Sequence, residues 1–172
     1  MATETFNGIF VNDGVVRPEW IDVNGHMNVA YYLLAFDLAV DELWRNFGID
    51  DDYIRGNRGS TFAVECHITY QRELDEGEPY SITSQILAYD EKRIHQFQRM
   101  YHSKEKYLAA TAEWMNLHVS LETRRVTQWP GDILESIESW TRQQPESAYP
   151  GEAGMKMSVK KPLFTLNGDD PT

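Results

Sequence analysis

The chain has 172 residues, 41% of them hydrophobic and 25% charged, which suits one globular domain with a substantial core and excludes a disordered or fibrous protein. Its 27 acidic side chains outweigh 16 basic ones, and the net charge of −11 opposes general attraction to nucleic acid or to an anionic lipid surface. Cys66 is the single cysteine, so an internal disulfide is excluded and a reducing compartment fits.

Residues Met1 to Gly8 lack the basic start and apolar run of a secretion signal, and the expected location is the cytoplasm. From Phe6 to Val16 strand-forming residues are broken by Asn12-Asp13-Gly14, which predicts a short strand or a hairpin. Arg17-Pro18 ends that strand, because proline cannot continue a ladder, and a polar connection carrying Gly25 follows.

A long helix is predicted from Val29 to Phe47, stopped by Gly48. Its apolar residues cover most of the circumference, so it is expected to be buried nearly all round. Asp37, Asp41 and Arg45 form one narrow polar stripe, with an expected Asp41–Arg45 ion pair. Those charges, with Glu42, also exclude it as a membrane span, which needs about 20 uncharged residues.

Residues Thr61 to Gln71 alternate, placing Phe62, Val64, Cys66, Ile68 and Tyr70 on one predicted apolar face; Cys66 there reads as a buried, inert thiol. Strands are predicted at Tyr80 to Tyr89, Ile94 to His102 and Tyr107 to Leu121, joined by short polar turns into an antiparallel meander. A second helix is predicted from Gly131 to Arg142. Residues 1–143 read as the folded domain and 144–172 as an extended, Pro- and Gly-rich tail with few packed contacts, in which Phe164 and Leu166 are candidates for docking. One strand, a buried helix and four more strands suggest a curved sheet around a central helix. His67, His95, His102 and His118 fall on strands without ligand spacing, so no metal and no cofactor is expected.

The run Trp20-Ile21-Asp22-Val23-Asn24-Gly25-His26-Met27-Asn28, leading into Val29-Ala30-Tyr31-Tyr32, resembles the signature of hotdog-fold acyl thioesterases. The Asp22 to Gly25 spacing is similar to 4-hydroxybenzoyl-CoA thioesterase and its bacterial relatives, whose aspartate there is nucleophile or base. The Asp22-x-Asn24-x-His26-x-Asn28 pattern is similar to plant acyl-carrier-protein thioesterases, and Glu73 falls where those carry a glutamate implicated in catalysis. The resemblance runs from about Phe10 to Pro130. It implies an α+β hotdog fold, a curved antiparallel sheet wrapped around a long helix, and a homodimer or homotetramer with sites at subunit boundaries.

Thioester hydrolysis needs a polarised carbonyl, a carboxylate to attack or to activate water, and a site shielded from solvent. Asp22 is the first candidate for the carboxylate. Free amides at the helix start near Asn28 and Val29 offer partial positive charge to an oxyanion. His26 and Asn24 can hydrogen-bond the thioester or orient Asp22, and Gly25 allows close backbone approach. Each has a plainer reading: Asn28 or Asn24 as helix cap, Asp22 as loop acid, His26 as packing residue, Glu73 as one acid in a polar turn with Asp75, Glu76 and Glu78.

Tyr31, Tyr32, Trp20, Trp44 and Trp114 are available to close an acyl pocket, and one or more of Arg72, Lys92, Arg93, Arg99, Arg124 and Arg125 to meet the phosphates of coenzyme A. The expected substrate is a small acyl-CoA. The Trp-Ile-Asp-x-Asn-Gly-His-Met run also resembles thioesterase segments linked to carnitine breakdown, which implies betainyl-CoA and cation–π recognition of its quaternary ammonium. The alternatives are an acyl-carrier-protein substrate and a non-catalytic acyl-CoA-binding module, which would not need an acid at position 22.

Overall fold

The computed structural model describes residues 6–144 and 149–157. Five strands, β1 (Ile9–Val15), β2 (Ser60–Tyr70), β3 (Pro79–Tyr89), β4 (Arg93–His102) and β5 (Leu108–Val119), form one sheet in the order β1-β3-β4-β5-β2, every neighbouring pair antiparallel. Helix α1 (Val29–Asn46) lies across its inner face, and α2 (Asp51–Arg55) and α3 (Gly131–Gln143) complete the fold. This is the hotdog arrangement of a curved antiparallel sheet against one long helix.

Local chemistry sets the boundaries. The Asn28 side chain accepts from the Ala30 amide at 3.0 Å and caps α1, while Gly48 with φ +87° lets the chain leave it. Asp50 accepts from the Tyr53 amide at 2.9 Å and starts α2, an element absent from the sequence reading because five residues give no periodicity. Asp90 closes the β3–β4 turn by accepting from the amides of Lys92 and Arg93, both at 2.8 Å.

The core lies between α1 and the sheet. Phe36, Leu43 and Trp44 of the helix and Ile82, Met100, Ala110 and Ala112 of the sheet join one buried cluster. Each large side chain buried there contributes about 1.5–3 kcal/mol. Trp140 of α3 meets Phe47 edge to face at 5.8 Å, so α3 closes the far end of α1. Beyond β1, Gln144 hydrogen-bonds both the amide and the carbonyl of Ile86 and occupies the bare edge of β3.

Several expectations are corrected. Phe6 to Val16 makes no hairpin: Asn12-Asp13-Gly14 lie within β1, and Gly14 is there because a Cβ would run into the Tyr80 ring. Helix α1 is not buried all round: Val29, Leu33, Leu34 and Leu38 are 57%, 43%, 40% and 44% exposed. Arg45 pairs with Glu42, one turn back at i−3, instead of with Asp41.

The predicted apolar face of β2 is split by a bulge between Ala63 and Glu65. Cys66, Ile68 and Tyr70 pair with Trp114, Ala112 and Ala110, whereas Phe62 pairs with Leu117 on the opposite face. β2 is an edge strand, and Cys66 in it is exposed. Desolvation around the sulfur, with the charge of Asp37, still pushes its thiol up to about 11, so it stays protonated at neutral pH.

The described part of the tail is tied to the outer face of the sheet. Glu152 reaches the buried Arg99 at 3.4 Å, and the Gly154 amide donates to Glu113 at 2.7 Å. Phe164 and Leu166 lie outside the described residues. Among the described residues no helix is long and apolar enough to cross a membrane.

Candidate active site

Residues 21–28 fold into a tight loop immediately before α1. Ile21 and Met27 form an isolated antiparallel bridge, the Asp22 amide donates to the His26 carbonyl at 3.1 Å, and the Gly25 amide donates back to the Asp22 carbonyl at 3.0 Å. Gly25 takes φ +92°, the left-handed backbone that such a turn favours in glycine. Asp22 Oδ1 accepts from the Asn24 amide at 2.8 Å, and Asn24 Nδ2 reaches Asp22 Oδ2 at 3.5 Å. Asp22 and His26 thus close one five-residue loop.

The loop is fastened to the segment that leaves β2. The Met27 amide donates to the Leu74 carbonyl at 2.8 Å, and the Leu74 amide donates to the Tyr32 hydroxyl at 3.0 Å. This brings Glu73 to His26, with Oε2 3.3 Å from Nε2, although 46 residues separate them. His26 is neither buried nor free: its side chain is 32% exposed.

A cavity of about 210 Å³ opens at this junction, lined by His26, Met27, Val29, Tyr32, Tyr70, Gln71, Arg72 and Glu73. Tyr32 and Tyr70 meet edge to face at 5.3 Å in its wall. Burial, together with the nearby charges of Glu73 and Glu78, pushes the Tyr32 phenol up to about 12. Asn28 spends its side chain on capping, as its plainer reading holds, while the Val29 amide has no acceptor among the described residues and opens the helix N-terminus to the cavity.

The predicted residues therefore divide. His26, Glu73, Val29 and Tyr32 share the cavity wall; Asp22 and Asn24 belong to the turn that carries His26 and are not in the wall; Tyr31 stacks on Trp20 at 5.3 Å and is not in the wall either. Trp44 lies at the other end of α1 against Trp129, and the Trp114 indole donates to Gln98 in the core, so neither reaches the site. Of the basic candidates only Arg72 lines the cavity; Arg93 is held by Asp90 and Arg99 by Glu152. Sequence reasoning missed Tyr70 as a wall residue because strand alternation alone does not say which strand end meets the helix start.

A larger cavity, about 530 Å³, lies beside the outer face between β2, β4, β5 and residues 154–157. There His95 pairs with Glu113 at 2.6 Å, and Glu113 also holds the tail through the Gly154 amide, so its carboxylate is fully engaged. It lacks the helix start and the loop that supply the groups for acyl transfer.

A hotdog sheet with a helix start and a His–Glu pair on one cavity fits thioester chemistry, and the relatives of the chain are thioester hydrolases. The Thioesterase-like superfamily model matches residues 16–137, and the chain belongs to that superfamily. It is similar to the betainyl-CoA thioesterase of Pseudomonas aeruginosa, 36% identical over 124 residues, 72% of this chain and 78% of that protein. It is also similar to the L-carnitine dehydrogenase/betainyl-CoA thioesterase of Rhizobium sp., 34% identical over 149 residues, which are 87% of this chain and 30% of that longer protein. Among solved structures, a Staphylococcus aureus protein in complex with CoA superposes with a TM-score of 0.84 at 27% identity, covering 91% of this chain and 99% of that one.

Proposed function

We propose that the chain hydrolyses a short acyl-CoA whose acyl end carries a quaternary ammonium group, the chemistry of betainyl-CoA. The observation that carries the reading is the His26–Glu73 pair beside the Val29 amide in a cavity walled by Tyr32 and Tyr70. Glu73 orients His26 through Nε2 beside the reacting carbonyl, and the Val29 amide donates to the thioester oxygen and stabilises the oxyanion. Asp22 takes a proton from the water that attacks the carbonyl carbon. The tetrahedral intermediate then collapses, expelling the CoA thiolate, which receives that proton and leaves the free acid.

The tyrosine rings and the Glu73 carboxylate favour a cation in the acyl position, where cation–π contact adds about 0.5–2 kcal/mol. The two similar proteins are both named for betainyl-CoA. The test is thiol release from betainyl-CoA, from its neutral isostere 3,3-dimethylbutyryl-CoA, and from acyl-carrier-protein thioesters. The reading expects kcat/KM at least about tenfold higher for the cation, within the range that one desolvated cation–π contact gives. Equal values for cation and isostere would remove the cationic pocket, and release from carrier protein alone would replace CoA as the carrier.

The working unit is proposed to be a homo-oligomer built from a dimer. Val29, Leu33, Leu34 and Leu38 of α1 and Val64 of the edge strand β2 are all exposed, and a second copy covering them would complete the wall at Val29 and Tyr70. Light scattering should give at least twice the chain mass of 19.9 kDa; a monomer at assay concentration that turns over at full rate would remove the partner from the site.

A further inference from the structure

Arg72 and Glu73 are neighbours in sequence and both line the cavity, so the cation nearest to Glu73 along the chain is a competitor for the carboxylate that meets His26. Unit charges 4 Å apart attract by about 1–4 kcal/mol between bulk water and a partly enclosed site. That is enough to redirect a side chain. Yet Arg72 points elsewhere: its guanidinium lies 3.7 Å from the centre of the Tyr107 ring and 3.6 Å from Glu105. The Arg72–Glu105 pair is exposed on both sides and holds weakly by itself. The ring is the firmer anchor, being itself stacked on His102 at 5.1 Å.

Tyr107 holds the backbone of the same segment. Its hydroxyl donates to the Glu73 carbonyl at 3.1 Å and stands 3.4 Å from Glu78 Oε2. Burial, and next the charge of Glu78, push the phenol up to about 12, so it carries its proton throughout the working range. From the other side Tyr32 takes the Leu74 amide and Met27 takes the Leu74 carbonyl. Glu73 is therefore the one residue of this segment gripped on both flanks while its carboxylate is left to His26.

We propose that Tyr107 is a positioning residue: its hydroxyl fixes the Glu73 backbone and its ring keeps Arg72 away, so that the Glu73 carboxylate faces His26. The inference rests on the His26–Glu73 reading given above. It assigns a role to a residue outside the cavity wall, immediately before β5, and makes the β4–β5 hairpin end part of the site's support.

The test is steady-state thioester hydrolysis by the full chain carrying Tyr107→Leu, Tyr107→Phe, Tyr107→Leu with Arg72→Gln, and Glu73→Gln. Tyr107→Leu frees Arg72 and is expected to lower kcat about tenfold with KM within about twofold, the pattern of a misplaced catalytic group. Tyr107→Phe keeps the ring, and its kcat should stay within about threefold of wild type. Removing the released cation in the double variant should restore most of the lost kcat. An unchanged kcat in Tyr107→Leu, or a double variant no faster than the single, overturns the proposal. Full activity in Glu73→Gln overturns instead the reading of Glu73 itself. Should Tyr107→Leu melt far below wild type, Tyr107→Met, which keeps bulk without an aromatic face, takes its place with the same two readings.

Discussion

Two histidines mark the two ends of α1 and behave in opposite ways. His26, just before the helix, is partly exposed, has a carboxylate 3.3 Å from Nε2 and sits in a cavity wall. His118, at the far end, is 1% exposed, with Nδ1 2.9 Å from the Gln128 carbonyl, Nε2 2.8 Å from the Tyr53 hydroxyl and Trp129 packed on its ring at 4.9 Å. Even Gly59 is there for it, because a Cβ at that position would collide with the imidazole. One end of the helix keeps its histidine accessible; the other partners both nitrogens of the His118 ring and closes over it. Chemistry belongs to the first kind of environment and stability to the second.

The sharpest way to break this contrast is Asp22→Asn. An asparagine keeps the side-chain oxygen that accepts from the Asn24 amide, so the turn presenting His26 persists while the charge is lost. Thiol release should fall about a thousandfold, or roughly 4 kcal/mol of transition-state stabilisation, with the melting temperature nearly unchanged. A variant retaining a tenth or more of wild-type kcat would take the carboxylate role away from Asp22. A large loss of melting temperature would move the turn to the structural side of the comparison.

The two ends also differ in how far the chain reveals them. The loop before α1 is contiguous, so Asp22, Asn24, His26, Asn28 and Val29 are visible as one run ahead of an apolar helix, and the strand alternation with polar turns foretells the meander. Glu73 is visible only through resemblance, since nothing in residues 72–78 separates it from its acidic neighbours. Tyr107 has no signal: its role depends on the hairpin register that carries it back to the β2 exit. Nor does periodicity distinguish an apolar helix face covered by a sheet from one left open, which is why Leu33, Leu34 and Leu38 read as core. The bulge between Ala63 and Glu65 defeats a face assignment in the same way, because one extra residue reverses every side chain before it.

The smaller test lies at the closed end and separates His118 from His26 by stability instead of rate. Desolvation lowers the His118 pKa from the ordinary value of 6.5, so the folded state holds the ring neutral where the unfolded chain would take up a proton. As pH falls below that ordinary value the unfolded state gains a proton the fold refuses, and stability declines with a slope that for one group cannot exceed about 1.4 kcal/mol per pH unit. His118→Ala should lower stability at pH 7.5 by about 2–3 kcal/mol, since it leaves the Gln128 carbonyl and a cavity behind. It should also abolish this share of the acid sensitivity, so the gap between variant and wild type narrows as unfolding is measured towards pH 5.5. The narrowing follows from the sign of the shift: only wild type loses stability through this ring. A gap that holds constant or widens in acid would mean that the imidazole is charged inside the fold, and the closed end would then share the open end's electrostatics.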